Sequence, residues 1–178
     1  MTEPVTSLVV HAPNIHTGGG LHVLNAFLRA AGSMVRHVQC DARAKGLDIP
    51  AGSGKHVVQP TLGSRLLAEW RLGRLCKPTD TVLCFQGLPP LFFVSARVVV
   101  FVHNRLLVTQ GMLAEYPLWV QVRIRLERWW LKSLSHLVAR YVVQTPSMAT
   151  ALRTIVGDAA QIMVSPCVPQ ECMIPPTF

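Results

Sequence analysis

Three consecutive glycines, Gly18, Gly19 and Gly20, separate a short apolar run from a segment with apolar residues at helical spacing. The run at 7–12 predicts a β-strand, and the recurring residues predict an α-helix. These residues are Leu24, Phe27, Leu28 and Ala31. A strand that passes through a glycine turn into a helix presents unpaired backbone N–H groups and the positive end of the helix dipole. The turn therefore predicts an anion site, most often for phosphate; the alternative is a tight turn without a ligand.

His103 and Asn104 follow a second apolar run, 98–102. We expect this run to be a central strand, parallel to and neighbouring the strand at 8–10, so that His103 lies at the same sheet edge as the glycine turn. An imidazole there can donate a hydrogen bond to a sugar hydroxyl or a phosphate oxygen, and it can exchange a proton near neutral pH. The alternative is a histidine that caps the following loop.

A basic stripe accompanies tryptophans on the predicted helix 117–136. The stripe consists of Gln121, Arg125, Arg128 and Lys132. The apolar side is predicted from Trp119, Val122, Leu126, Trp129, Trp130 and Leu134. Basic residues beside tryptophans suit contact with anionic lipid headgroups, so Arg125, Arg128, Lys132 and Trp129 form a candidate membrane surface. The alternative is a surface helix with tryptophans in the core and solvated arginines.

Other motifs give weaker signals. Asp41 follows the predicted strand 35–40, where a dinucleotide-binding protein has an acidic residue, although the glycines do not fit GxGxxG. The segment 52–56 does not fit a Walker loop, because His56 stands where Ser or Thr is required. The histidines have no metal-ligand spacing and the five cysteines include no CxxC pair. We therefore predict no metal site and a reducing compartment.

Composition limits the class of protein. The 178 residues suffice for one domain with a good core, and charged residues make up only 15%. The net charge of +8 favours an anionic partner. The N-terminus lacks the pattern of a signal peptide, and the apolar stretch 81–102 is interrupted by Gln86, Gly87, two prolines and Arg97. Two buried strands around a loop explain this stretch better than a transmembrane helix, so we expect a cytoplasmic protein.

Strand-like and helix-like segments alternate along the chain. Strands are predicted at 7–12, 35–40, 56–59, 81–85, 97–102, 141–144 and 161–164, and the later helices at 62–75, 117–136 and 147–156. In the helix 62–75 we expect Leu62, Leu66, Trp70 and Leu75 to face the core. Thr145 or Ser147 is placed to cap the helix 147–156, and Gly157 to end it. This pattern predicts a Rossmann-like α/β fold, a parallel sheet with helices on both faces.

The order of three motifs resembles the N-terminal half of GT-B glycosyltransferases, in particular the retaining, nucleotide-sugar-dependent group called family 4. The motifs are Pro13-Asn14 with Gly18-Gly19-Gly20-Leu21, then Val100–Asn104, then Val142–Ser147. The resemblance spans nearly the whole chain. It implies that residues 1–165 form the acceptor-side domain, and that 166–178 are a linker toward a C-terminal donor-binding domain that this sequence lacks.

The resemblance also implies roles for individual residues. The glycine loop approaches the donor diphosphate and the acceptor, and His103 orients the transferred sugar as the catalytic residue. Donor or substrate contacts are implied for Gly18, Gly19, Gly20, Asn14, Asn104, Thr145 and Ser147. Many relatives have Asp after the histidine, and Asn104 cannot act as a base.

The expected function is transfer of a sugar from a nucleotide diphosphate donor to a glycan, lipid or small-molecule acceptor. The chain alone is expected to be inactive, with the C-terminal half supplied by another domain or subunit. No cofactor besides the nucleotide sugar is implied, and no nucleic-acid partner is expected. Two alternatives remain: a non-catalytic module that binds a membrane or a partner, and a nicotinamide-binding Rossmann domain. Association with the surface of an anionic membrane is compatible with the first.

Overall fold

The computed structural model describes residues 7–109 and 112–166. Its strands are β1 Leu8–Ala12, β2 Val35–Asp41, β3 Gly54–Val58, β4 Thr81–Cys84, β5 Arg97–Val102, β6 Arg140–Val143 and β7 Ile162–Val164. Its helices are α1 Gly18–Ala31, α2 Leu62–Leu75, α3 Arg105–Val108, α4 Leu118–Ser133 and α5 Pro146–Val156. Short 3-10 turns lie at Gly32–Met34, Met112–Glu115 and Ser135–Leu137. Most predicted elements are therefore present, with ends that differ by a few residues.

All seven strands are parallel and form one sheet in the order β3-β2-β1-β4-β5-β6-β7. The chain builds outward from β1 to β3 and then returns to place β4 on the other side of β1. Such a reversal opens a crevice at the carboxyl ends of the strands, which is where α/β proteins bind ligands. The predicted Rossmann-like α/β fold is confirmed.

The expectation that β1 and β5 are neighbours is wrong. β4 lies between them and pairs with both, through Val9–Val82 on one side and Val82–Val98 on the other. The reversal of the strand order inserts the fourth strand at this point, a topological choice that periodicity cannot reveal.

Helices cover both faces of the sheet unequally. On one face α1 packs with Leu24 and Leu28 against a cluster that includes Val10 and Phe101. On the other face α2, α3, α4 and α5 pack against the larger cluster, with buried residues Leu72, Leu107, Ile124, Leu131 and Leu152. Each fully buried residue of this type contributes about 1.5–3 kcal/mol. The packing of α1 on its cluster places the first turn of this helix at the carboxyl edge of the sheet.

The buried side of α2 differs from the prediction. The limits of α2 are as predicted, and Thr61 caps it by accepting a hydrogen bond from the backbone N–H of Ser64. However, Leu62 is 81% exposed, and Leu66 and Trp70 are also exposed, so their expected inward orientation is wrong. The residues that α2 buries are Ala68, Glu69 and Leu72. A buried acid, which a hydrophobic pattern counts as polar, sets this orientation.

For Trp119 and Trp129 of α4, the structure contradicts the alternative that placed the tryptophans in the core. The helix buries Val120, Ile124 and Leu131, whereas most residues of the predicted apolar side are exposed. The exposed ones are Trp119, Val122, Leu126 and Trp129. The helix thus carries two apolar faces, one buried and one exposed.

The remaining sequence predictions concern the ends of the chain and the cysteines. Of the predicted linker 166–178, residues 167–178 lie outside the described residues, as do Cys167 and Cys172. Cys40, Cys76 and Cys84 are buried free thiols. In the described ranges, no helix combines the length and apolar character required to cross a membrane.

Candidate functional site

The first turn of α1 is open and uncapped. Gly18 has φ of +65°, a conformation that favours glycine. Thr17 precedes the helix without a side-chain capping hydrogen bond, and no acidic residue occupies the first turn. A Cβ atom added to Gly18 or Gly19 would meet nothing within 4 Å. Gly18 and Gly19 are exposed, so this turn is open to solvent, as an anion site at a helix N-terminus requires.

His103 lies against the same turn. It follows the carboxyl end of β5, and its Nε2 is 3.3 Å from the position of a Cβ added to Gly20. The predicted meeting of the glycine turn and the imidazole is thus present, although β5 is two strands away from β1. Ile15, which is buried, lies beneath Gly20 at 3.7 Å from the same Cβ position.

Aromatic side chains hold the imidazole of His103. Its ring stacks on that of Phe101 with centroids 5.8 Å apart, and Phe85 lies at 6.2 Å. Burial among these rings lowers the pKa of His103, so the ring is neutral at neutral pH. Its Nδ1 atom is buried and has no hydrogen-bond partner among the described residues. A neutral imidazole of this kind can donate one hydrogen bond and accept another.

The other predicted site residues lie along the carboxyl edge of the sheet. Asn14 is exposed, and its Oδ1 accepts a hydrogen bond from Arg65 at 2.8 Å. Asn104 caps α3, because its Oδ1 accepts from the backbone N–H of Leu106 at 3.0 Å. The capping role that the sequence offered as an alternative for His103 thus belongs to its neighbour.

Thr145 and Ser147 follow β6 at this edge. Thr145 Oγ1 accepts from the backbone N–H of Met148 at 3.3 Å, which confirms Thr145 as the cap of α5. Its hydroxyl also lies 3.0 Å from that of Ser147. Gly157, with φ of 91°, ends the helix as predicted. Ser147 is exposed, so its hydroxyl can also meet a ligand.

Asp41 is already engaged. It is buried at the end of β2, and its carboxylate accepts hydrogen bonds from the backbone N–H and the side chain of Arg43, at 2.7–2.9 Å. These bonds lower the pKa of Asp41. His16 Nδ1 lies 4.0 Å away on the other side. The ribose contact that a dinucleotide-binding protein makes with this residue would have to displace Arg43.

A buried polar network beneath the crevice was not predicted. His11 on β1 is fully buried; its Nε2 lies 2.9 Å from Glu69 Oε1 on α2, and its Nδ1 lies 2.6 Å from Gln39 Oε1. Glu69 also accepts from Gln86 Nε2 at 3.2 Å and from the backbone N–H of Leu91 at 3.0 Å. The network connects β1, β2, α2 and the loop after β4 at one point.

The geometry of this network orients its polar groups. Gln39 Nε2 donates to the carbonyl of Ala68 at 3.3 Å, so Gln39 Oε1 must face His11. Both ring nitrogens of His11 then face acceptor oxygens, a geometry that suits a ring donating from both nitrogens. Burial by itself raises the pKa of Glu69, but His11 and the hydrogen bonds outweigh it, and the pKa lies below its usual value. His11 and Glu69 thus form a buried pair in which the carboxylate faces the ring nitrogen.

The signal for this network was a polar residue in an apolar strand. His11 interrupts the run 8–12, and register pairs it with Gln39 on the neighbouring strand. Sequence spacing alone gave no link to Glu69, which lies 58 residues away.

The basic residues of α4 differ in their surroundings. Arg125, Lys132 and Trp129 are exposed. Arg128 instead donates hydrogen bonds to the carbonyls of Leu106, Leu107 and Thr109 at the end of α3. Its guanidinium therefore connects α4 by hydrogen bonds to the segment that follows His103 and Asn104.

Within residues 7–109 and 112–166, no three His, Cys, Asp or Glu side chains cluster closely enough to hold a metal ion. The site consists of an open helix turn, a neutral imidazole against it and hydroxyl and amide groups along the same edge.

Comparisons of the chain with protein families, curated proteins and solved structures found no match.

Proposed function

We propose that this chain is the acceptor-side, N-terminal domain of a GT-B glycosyltransferase. The enzyme would transfer a sugar from a nucleotide diphosphate donor to a glycan, lipid or small-molecule acceptor. One observation carries the proposal: the imidazole of His103 lies against Gly20 in the first turn of α1. A helix N-terminus suited to an anion and a group that can hydrogen-bond a sugar hydroxyl would then act together at the crevice where α/β proteins bind ligands.

The proposed chemistry uses the donors of this turn. The backbone N–H groups of Gly19 and Gly20 would bind the leaving diphosphate as its charge develops. Donors held in place before the reaction stabilise that charge without reorganisation, which is the main electrostatic contribution in many enzymes. His103 would orient the transferred sugar by hydrogen bonding and would not act as a nucleophile. The donor's nucleotide would be held mainly by the C-terminal half of such an enzyme.

Binding of diphosphates to the isotope-labelled chain tests this proposal. UDP, GDP or ADP should weakly shift the amide resonances of Gly18, Gly19 and Gly20 together with the imidazole of His103. Inorganic phosphate should shift the same resonances, but by less than the diphosphates do. His103→Ala should reduce the diphosphate affinity, whereas His136→Ala, an exposed histidine beyond α4, should not. The proposal fails if no diphosphate shifts these resonances, or if His136→Ala has the same effect as His103→Ala.

A nicotinamide-binding function is the competing proposal for the same crevice. Its main support in the sequence is Asp41, and the hydrogen bonds from Arg43 occupy that carboxylate. NAD belongs in the same titration as a competitor. Tight binding of NAD with shifts near Asp41 would favour this competitor over sugar transfer. Association with a membrane surface concerns α4 and does not depend on either proposal.

A further inference from the structure

The outward face of α4 is apolar and exposed. Leu118 is 72% exposed, Trp119 66% and Trp129 69%, and Val122 and Leu126 between them are also exposed. Residues 118, 122, 126 and 129 recur at helical spacing and form one stripe about 16 Å long, beside which Trp119 lies. We call these five residues the α4 stripe. Two tryptophans at this exposure on a single helix are unusual for a surface that contacts only water.

Cations border the α4 stripe on both sides. Arg125 and Lys132, seven residues apart, lie on one edge of it and are exposed. On the other edge the guanidinium of Arg123 lies 5.8 Å from the ring centroid of Trp119. The only acidic residue of α4, Glu127, is on the side turned toward the protein, where Arg123 lies 3.6 Å from it. Within α4, the charged residues that border the stripe are Arg125 and Lys132 on one edge and Arg123 on the other.

A second helix on the same face of the sheet repeats this pattern. α2 and α4 pack against the same core cluster through Leu72 and Ile124. The outward residues of α2 include Leu62 and Trp70, both exposed, and the guanidinium of Arg74 lies 4.0 Å from the Trp70 ring centroid. Both helices of this layer thus present apolar residues and arginines to the outside.

We propose that the α4 stripe docks on the surface of an anionic lipid bilayer. Tryptophan and leucine side chains insert at the level of the headgroups, while flexible arginine and lysine side chains reach the phosphates beside them. A second copy of this chain suits the stripe less, since its cationic borders would meet like charges and each copy carries +8. The proposal depends only on α4 and not on sugar transfer at His103.

Vesicle flotation with the full chain tests the proposal. We expect binding to vesicles of equal parts phosphatidylglycerol and phosphatidylcholine, and little binding to phosphatidylcholine alone. Arg125→Glu/Lys132→Glu should weaken binding to the anionic vesicles by at least about thirtyfold, because each cation near such a surface contributes about a fivefold factor. Trp119→Ser/Trp129→Ser should also weaken it at least about tenfold. All four side chains are exposed, so the variants should keep the thermal midpoint of the parent.

Arg29→Glu/Lys45→Glu is the matched control. It changes the net charge equally, but Arg29 lies on α1 and Lys45 in the loop after β2, on elements that pack against the opposite face of the sheet. If this control weakens vesicle binding as much as Arg125→Glu/Lys132→Glu, the overall charge and not the stripe is responsible. The proposal is also overturned if neither vesicle binds, or if light scattering shows a dimer that Trp119→Ser/Trp129→Ser dissociates. None of these outcomes bears on the titration of His103 with diphosphates.

Discussion

His103 Nε2 lies 3.3 Å from the position that a Cβ on Gly20 would occupy, although the strands that lead to these residues are separated by β4. Two strand spacings amount to about 10 Å, which the loop 13–17 crosses as it enters α1. The contact arises because the strand order reverses between β1 and β4, so the loop after β1 passes over the crevice. Glycine at position 20 leaves room for the ring.

Substitutions at Gly19 and Gly20 should differ for this reason. Gly19→Ala should increase the free energy of unfolding by about 0.5–1 kcal/mol, since alanine favours a helix and the added Cβ meets open space. Gly20→Ala should raise the free energy of unfolding by less than Gly19→Ala does, or should lower it, because the added Cβ crowds His103. Urea unfolding measures the first effect, and the imidazole proton resonances of His103 measure the second. Equal gains in stability with unchanged His103 resonances would contradict the contact.

The titration of His103 should reflect its burial. Its pKa is lowered, so as the pH falls below about 6.5 the unfolded chain takes up a proton before the folded one does. His103 therefore makes the folded state less stable as the pH falls below that value, and His103→Gln should reduce this part of the pH dependence. A bound diphosphate should raise the pKa of His103, because the anion stabilises the imidazolium. NMR titration with and without UDP measures the pKa of His103 in the free chain and the change that the diphosphate causes. A pKa that UDP leaves unchanged argues against binding next to His103.

The sequence predicts the α/β class and the limits of α2 and β5, because the β-branched runs and caps are local signals. The orientation of α2 is not local. Its inward face is fixed by Glu69, which a hydrophobic pattern counts as polar, and by the partner His11 on a distant strand. Similarly, α4 carries two apolar faces, and only packing in three dimensions selects the one with Ile124.

Neutralising Glu69 should destabilise the fold strongly. Glu69→Gln removes the carboxylate that faces the buried ring of His11 at 2.9 Å, and breaking a buried pair in this way costs about 3–5 kcal/mol. The exposed Asp158→Asn is the control and should change the free energy of unfolding by less than about 0.5 kcal/mol. The double variant His11→Gln/Glu69→Gln should recover part of the loss, since both groups are then neutral. Urea unfolding of the parent, of His11→Gln, of Glu69→Gln and of the double variant gives the coupling between the two residues.

The same pair predicts how the fold responds to acid. The pKa of Glu69 is lowered in the folded state, so its contribution to stability is complete above about pH 4. This contribution is lost as the pH falls from that value through the lower pKa of the folded state. Unfolding midpoints of the parent between pH 6 and pH 3 should therefore fall more steeply than those of Glu69→Gln. Parallel curves would mean that Glu69 is not ionised in the folded protein.

Arg128 should contribute to stability rather than to membrane binding. Its guanidinium donates to three carbonyls at the end of α3, and the hydrogen bonds of a charged group contribute about 1.5–3 kcal/mol. Arg128→Ala should lower the free energy of unfolding by about that amount, and Arg128→Lys should restore only part of it, since an ammonium group lacks the planar fork. Arg125→Ala, on the exposed side of the same helix, should change it by less than about 0.5 kcal/mol. The sequence alone does not distinguish the two arginines. Thermal unfolding and vesicle flotation together do: Arg128→Ala should lower the thermal midpoint, whereas Arg125→Ala should reduce vesicle binding.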